Sequence, residues 1–384
     1  MGRKKSSLES LVIELTSCMN SFWKDKKVLV TGHTGFKGAW LTLLLIEMGA
    51  KVFGFSLKDL SEYELFRNLL NDKNFHDHNS FFHFEGDINN MDILKKVVLD
   101  VNPDITFHLA AQPLVRRSYK EPLITWETNV LGTLKLLEAL KTINKVSTLI
   151  VVTSDKVYEN LELKNFFKES DRLGGNDPYS SSKAATEILI SGWRKSFCGD
   201  APFQTKFLSI ATARSGNVIG GGDWSEDRLV PDIVSSLKDN KIIKLRNPTS
   251  SRPWLHILET LNGYLLLAER LHISKNINSK DIYKLESSFN FGPKDNDVKT
   301  TQELLNECLK YWEGDWIKKK DKNNLKESNN LSLNSEKSKK YLNWSPKLSF
   351  ETTVNLTINW YKKFYDKKSA YECCMDDINF YYQI

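Results

Sequence analysis

A doubly wound α/β fold, a parallel sheet with helices on both faces, is predicted by three observations. Short apolar runs rich in β-branched residues recur at Lys27–Thr31, Lys51–Leu57, Asp104–Ala111 and Thr148–Val152. Helical patterns alternate with such runs as far as residue 213, the order expected of parallel strands joined by crossover helices. The first run passes directly into Gly32-His33-Thr34-Gly35-Phe36-Lys37-Gly38 and then into A-W-L-T-L-L-L-I-E-M-G, so strand, glycine turn and helix follow without a break. A sheet of this kind gathers its ligands in a crevice at the carboxyl ends of its strands.

The element order starts with residues 1–26, an amphipathic extension with Leu8, Leu11, Val12 and Leu15 at helical spacing. The glycine turn after the first strand suits a dinucleotide pyrophosphate. Glycines let the backbone turn tightly and approach the phosphates, whose charge meets the free N–H groups at the start of the helix. The spacing is G-x-x-G-x-x-G rather than G-x-G-x-x-G. The second strand should end beside an adenosine ribose, where an acid would hold the 2′-hydroxyl; the chain offers Ser56, Lys58 and Asp59 there. Asp59 would favour NAD, whereas Lys37 and Lys58 could meet a 2′-phosphate. A strand over 80–87, a helix over about 90–101 and a strand over 104–111 follow, the last ending in Ala110 and Ala111, small enough for a cofactor to lie against the backbone. Asn129 opens a further helical pattern, N-V-L-G-T-L-K-L-L-E-A-L.

The next stretch carries the chemistry. T-L-I-V-V-T-S-D-K-V-Y is a buried strand that delivers Ser154, Asp155 and Lys156 together at its carboxyl end. D-P-Y-S-S-S-K-A-A-T-E then places Tyr179 and Lys183 four residues apart at the start of a helix, on one face, where an ammonium favours a phenolate. An exposed ion pair would explain Asp155 and Lys156 equally well in a surface loop, but their place after a buried strand points to proton transfer.

Beyond Ala213 the pattern changes to the glycine-rich, charged loop R-S-G-N-V-I-G-G-G-D-W-S-E-D-R, containing Asn217 and Arg228. Helices are expected near 229–239, 257–271 and 301–312 and a short strand near 287–293. Arg246 and Arg252 flank N-P-T-S-S ahead of P-W-L-H, and arginines in crevice loops suit bidentate phosphate binding. Residues 315–340, rich in Lys, Asn, Glu and Ser, read as a mobile connection, followed by a final helix to about Phe364. The expected division is 1–26 extension, 27–213 Rossmann-like domain, 214–365 smaller C-terminal α/β substrate-binding domain with discontinuous boundaries, and 366–384 tail.

Composition narrows the function classes. At 384 residues and 40% hydrophobic, the chain can bury a sizeable core. A net charge of +6, from 54 Lys and Arg against 48 acids, is mildly basic, and anionic small ligands account for it. No zinc-finger spacing, RNA-binding aromatic signature or basic helix argues for nucleic acid. No apolar run approaches the roughly 20 residues of a membrane span, and no signal-peptide core precedes residue 26. Met1-Gly2 with Ser6 matches only a loose lipidation pattern. Five cysteines, Cys18, Cys198, Cys308, Cys373 and Cys374, lack C-x-x-C spacing, so neither a disulfide framework nor a zinc site is indicated and a reducing cytoplasm is expected. His76, His78 and His83 read as surface histidines rather than metal ligands.

The motifs T-G-x-x-G-F-x-G at 31–38, Asp87-Ile88, L-A-A at 109–111, Asn129, the Ser154-Asp155 pair and Y-x-x-x-K at 179–183 together resemble the extended short-chain dehydrogenase/reductases. Longer blocks, among them V-T-G-H-T-G-F-K-G-A-W, H-L-A-A-Q-P-L-V-R, T-S-D-K-V-Y-E-N and R-N-P-T-S-S-R-P-W-L-H, are similar to the CDP-glucose 4,6-dehydratase family over about residues 23–365. The resemblance implies NAD as cofactor, held by Gly32, His33, Gly35, Phe36, Lys37, Gly38, Asp87, Ile88, Leu109, Ala110, Ala111, Gln112, Asn129, Thr153, Tyr179 and Lys183. It implies conversion of a nucleotide-linked glucose into the 4-keto-6-deoxy sugar. Tyr179 would take the C4 hydroxyl proton, Lys183 would hold the ribose, Ser154 would bind the C4 oxygen, Asp155 would protonate the departing C6 hydroxyl, and Lys156 would remove the C5 proton. Related dTDP-glucose dehydratases carry Glu at that last position, and a lysine can serve there only when neutral. Asn217, Arg228, Arg246, Arg252 and His256 would bind the nucleotide sugar.

Three rivals are weaker on the same residues. A nucleotide-sugar 4-epimerase needs no acid and base for C6 and C5, and a non-catalytic dinucleotide sensor needs neither Tyr179 nor Lys183. A dehydratase for GDP-mannose or dTDP-glucose would differ only in the pocket around 217–256. A homodimer or dimer of dimers, paired through helices near 129–143 and 180–196, is expected.

Overall fold

The computed structural model describes residues 21–60, 63–160, 166–198, 207–277, 279, 282–294, 297–318 and 331–384. Seven parallel strands form one sheet: β1 (Lys27–Thr31), β2 (Lys51–Ser56), β3 (Phe81–Glu85), β4 (Ile105–His108), β5 (Ser147–Val152), β6 (Leu208–Ser215) and β7 (Ser288–Phe291). Their spatial order is β7-β6-β5-β4-β1-β2-β3, and every neighbouring pair is parallel. The order reverses between β1 and β4, which opens a crevice beyond their carboxyl ends.

Both faces of the sheet are covered, and alternate residues of each strand serve opposite cores. Val28, Val30, Ile105, Phe107, Ile150 and Val152 pack with helix α1 (Phe36–Glu47). Leu29, Leu149 and Val151 pack on the other face with α3 (Met91–Val101), α4 (Gly132–Leu140) and α5 (Pro178–Phe197); α2 (Glu64–Leu70) lies between β2 and β3 in sequence. The strands read as continuous apolar runs because both faces are buried. Helix starts follow local chemistry: Asn90 and Asp177 cap α3 and α5 through their side chains, and Pro178 occupies the first turn of α5, where no backbone donor is needed.

The C-terminal part is interleaved with the sheet. Helix α6 (Leu229–Lys238) follows the glycine-rich loop, and α7 (Ile257–Asn276) then packs against β5 and β6. β7 completes the sheet beside β6. The unit over 27–213 is therefore not closed by its own residues.

Two expectations need correction. Residues 366–384 are not a loose tail: α8 (Phe350–Tyr365) is followed by α9 (Ala370–Gln383), which packs on α8 and α2. Its start is a capping box between Ser369 and Glu372, and Ala370, Cys373, Cys374, Ile378 and Tyr381 are buried at helical spacing. Parts of 315–340 are ordered. Trp316–Lys318 pairs with Ile243–Leu245, Ser332–Leu333 pairs with Phe166–Phe167, and Glu336–Leu342 is helical, while 319–330 lie outside the described residues. The amphipathic extension and Cys18 also lie outside them, but Trp23 is buried against Phe107 and anchors the chain just before β1.

Candidate active site

A single cleft of about 1710 Å³ runs along the carboxyl ends of the strands. That exceeds the several hundred Å³ typical of one small ligand and suits two bound side by side. One half is built on the glycine turn. Gly32 has φ +73°, and a Cβ there would stand 2.6 Å from the Ala110 amide nitrogen. A Cβ at Gly38 would stand 2.1 Å from the Gly32 carbonyl oxygen. Any larger residue would break the turn, and the start of α1, capped by Gly35 without a side-chain hydrogen bond, leaves its N–H groups for an anion. Phe36, Asp87, Ile88, Leu109, Ala110, Ala111 and Gln112 line the same half, together with Ser56 and Asp59. These features fit a dinucleotide.

Two residues expected to touch the cofactor, His33 and Asn129, do not line the cleft. His33 is fully buried beneath the turn, its ring against Gly54 and its Nε2 2.9 Å from His83 Nδ1; burial, reinforced by His83, pushes it down to about 3. It props the turn from below. Asn129 accepts from the Gln112 amide at 2.8 Å and donates to Ser182 Oγ at 2.9 Å, locking the 110–112 segment to α5. Lys37 does line the cleft, crossing to the end of β6, where it donates to Ser215 Oγ at 2.9 Å, rather than to the end of β2, where a 2′-phosphate would sit; burial first, and Arg228 next, push it down to about 7. Lys58 is exposed, 3.9 Å from Glu85.

The proton-transfer groups converge where β5 ends. Thr153 leaves the strand, Ser154 caps a single 3₁₀ turn over Asp155–Val157, and Tyr179, Lys183 and Glu187 form one buried stripe on α5. Ser154 Oγ donates to Asp155 Oδ1 at 3.1 Å and stands beside the Tyr179 hydroxyl, whose ionisation it favours. Lys183 Nζ donates to the Val152 carbonyl at 3.1 Å. Burial pushes Tyr179 up to about 12, opposed by the Ser154 hydrogen bond, and pushes Lys183 down to about 8, opposed by Glu187. Asp155 is 3% exposed; burial raises its pKa against the pull of Lys156, and its Oδ2 has no hydrogen-bond partner among the described residues. Lys156 is half-buried and lines the cleft beside it.

The other half of the cleft is lined by Asn217, Arg228, Arg246 and Arg252. Arg228 donates to Asp223 Oδ2 at 2.9 Å, and Arg246 pairs with Asp227 at 3.2 Å and Asp232 at 3.4 Å on the rim. Arg252 is buried. His256 does not reach the cleft: it is fully buried, caps α7 by accepting from the Leu258 amide, and turns its Nε2 toward Asp377 of α9, 4.0 Å away. A residue one step along that short strand would face the other way, and the sequence does not fix which. Sequence reasoning missed Arg116, which lines the cleft 3.7 Å from Asp227. It also missed Asp223, which orients Arg228 and is held by Tyr361 through its backbone amide at 2.9 Å. Tyr361 lies 138 residues away, so no local pattern could have revealed the pairing. Among the described residues no cluster of His, Cys, Asp and Glu could hold a metal ion.

Residues 29–357 match the family model described as GDP-mannose 4,6 dehydratase. The chain belongs to the GDP-mannose 4,6-dehydratase family. A CDP-glucose 4,6-dehydratase from Salmonella typhimurium is 38% identical over 363 residues, 94% of this chain and 97% of that protein. A human dTDP-D-glucose 4,6-dehydratase is 25% identical over 88% of the chain and 90% of its own length. Among solved structures, a dTDP-glucose 4,6-dehydratase from Bacillus anthracis, in complex with NAD, superposes with TM-score 0.70 at 25% identity, covering 88% of this chain and 97% of that one. The epimerase Mth375 from Methanothermobacter thermautotrophicus has TM-score 0.74 at 20% identity, covering 93% and 97%, and shows the shared fold alone. Family membership and fold class agree with the resemblance and the α/β architecture read from the sequence.

Proposed function

We propose that the protein is an NAD-dependent nucleotide-sugar 4,6-dehydratase acting on CDP-glucose. The observation that carries this is the meeting of two proton-transfer sets in one cleft, Tyr179 with Ser154 and Asp155 with Lys156. An epimerase requires only the first. The choice of CDP-glucose is supported by the near full-length similarity to the Salmonella enzyme of that name.

The glycine turn, Ala110, Ala111 and the start of α1 would hold NAD, which when bound supplies a hydride acceptor for C4 and donor for C6. Tyr179 removes the C4 hydroxyl proton while Ser154 donates to the same oxygen, and the Lys183 ammonium favours the phenolate. The C4 ketone acidifies C5, and Lys156 takes that proton. Asp155, kept protonated by burial, gives its proton to the departing C6 hydroxyl. Arg228 and Arg252 meet the substrate diphosphate, while Arg246 and Arg116, paired with Asp227 and Asp232, line the outer rim.

The working form is a homodimer. Leu123 and Ile124 (70% and 51% exposed), Trp126, Leu131 and Ile188 leave an apolar surface beside α4 and α5, of the kind that a second copy covers. The four described cysteines are buried thiols, which suits the cytoplasm, and no described helix is long and apolar enough to cross a membrane. Incubation with CDP-glucose and NAD, followed by weighing of the nucleotide sugar, tests the reading. Loss of one water is expected; unchanged mass with inverted C4 would show an epimerase, and turnover of GDP-mannose or dTDP-glucose in preference would reassign the substrate.

A further inference from the structure

The turn that bears Ser154, Asp155 and Lys156 is four residues long, 154–157, and contains one 3₁₀ turn, too short to hold its own orientation. Its two flanking side chains end on one buried ion pair. Arg214 of β6 and Glu187 of α5 are each about 2% exposed and joined by two hydrogen bonds, Nε to Oε1 at 2.9 Å and Nη2 to Oε2 at 2.8 Å. On the upstream side Thr153 Oγ1 donates to Glu187 Oε1 at 2.5 Å. On the downstream side Arg214 Nη1 donates to the Tyr158 hydroxyl at 2.8 Å, which donates to Asn290 Oδ1 of β7 at 2.7 Å. The Tyr158 ring lies flat on Phe167, with centroids 4.8 Å apart and planes 7° apart. Thr212 Oγ1, at 2.8 Å from Glu187 Oε2, completes the carboxylate's partners.

Resting on the dehydratase reading, we propose that Glu187, Arg214 and Tyr158 are positioning residues that clamp the 154–157 turn, with Tyr158 governing the elimination side. A fully buried ion pair adds little to stability over apolar residues of the same size, whereas its fixed, forked geometry suits alignment. The two ends of the clamp act on different chemistry. Thr153 is also held by the sheet, its amide donating to the Ala213 carbonyl at 2.9 Å, so Ser154 keeps its place without the clamp. Backbone bonds from Gly174 and Glu159, to Val157 and Arg172, set the height of the downstream flank, and the Tyr158 hydroxyl fixes its rotation and with it Lys156.

The test is Tyr158→Phe in the full-length protein, with NAD and CDP-glucose in deuterated water. A displacement of about 1 Å costs on the order of a hundredfold in an aligned step. Deuterium uptake at C5 and water loss should therefore fall at least about tenfold, while C4 oxidation falls less than about threefold. The oxidised sugar that retains its C6 oxygen should accumulate, and backbone amide exchange over 154–158 should accelerate. Arg214→Lys, which keeps the charge but loses the fork, should show the same split and stands in if Tyr158→Phe does not fold. An equal fall in both steps, or no change in either together with unchanged amide exchange, overturns the clamp. If the wild-type protein leaves CDP-glucose unaltered, the dehydratase reading fails instead, and amide exchange over 154–158 still decides the clamp.

Discussion

Asp155 and Lys156 are neighbours in sequence but stand in different surroundings, and the difference assigns their work. Asp155 is buried with one oxygen unpartnered among the described residues, so it holds its proton to higher pH than a surface carboxyl. Water loss should weaken as pH rises through its pKa. Oxidation at C4 has the opposite slope at first: the phenolate of Tyr179, pushed up to about 12, becomes commoner with pH until Lys183 loses its charge near 8. Asp155→Asn should keep C4 oxidation and slow dehydration by about 10²–10⁴, and Lys156→Ala should abolish C5 proton exchange; both are read by mass spectrometry of the quenched sugar. The candidate site was legible here because Tyr179 and Lys183 stand four residues apart at a helix start and Asp155 and Lys156 directly follow a buried strand, whereas nothing in the sequence singled out Glu187. Arg214 was not, since its link to Glu187 depends on how β6 sits beside β5, and His33 and His256 lie in recognisable motifs yet face away from the cleft.

At the level of elements, β6 and α5 are joined by the Glu187–Arg214 pair, and that joint sets an acid limit on stability. Burial opposes ionisation of Glu187, but the Arg214, Thr153 and Thr212 hydrogen bonds prevail and hold its pKa below the ordinary glutamate value. A depressed carboxyl pKa contributes stability above the unfolded value, near 4.5, that is lost as pH falls through the folded one. Arg214→Met should leave the carboxylate buried without its main partner, cost about 3–5 kcal/mol in urea unfolding near neutral pH, and move the acid unfolding midpoint upward. A midpoint that stays in place would show that the pair does not set it. The strands and helices around this joint were legible from their apolar runs and caps. Which strand lies beside which was not, because register is a property of pairs of segments distant in sequence.

For the molecule as a whole, the sequence announced a parallel sheet up to residue 213 and a second part after it, but not that the second part returns to finish the first. The short S-F-N-F run of β7 carries no sign of its partner, and α9 was hidden behind a polar-looking end that conceals buried Cys373, Cys374, Ile378 and Tyr381. The late return of β7 has a consequence for how the protein is made. When residue 215 leaves the ribosome, β6, buried along all eight residues, has β5 on one side and nothing on the other until residues 288–291 emerge. Throughout that interval the nascent chain carries an open apolar strand edge, a template for pairing with another chain. A fragment of residues 21–215 should therefore aggregate when expressed alone, and co-expression of 216–384 should return it to solution, measured by the soluble fraction and size-exclusion chromatography. A soluble, monomeric fragment would mean that the growing chain can shield that edge by itself; aggregation relieved in trans would make synthesis of residues 288–291 the step at which the sheet becomes safe.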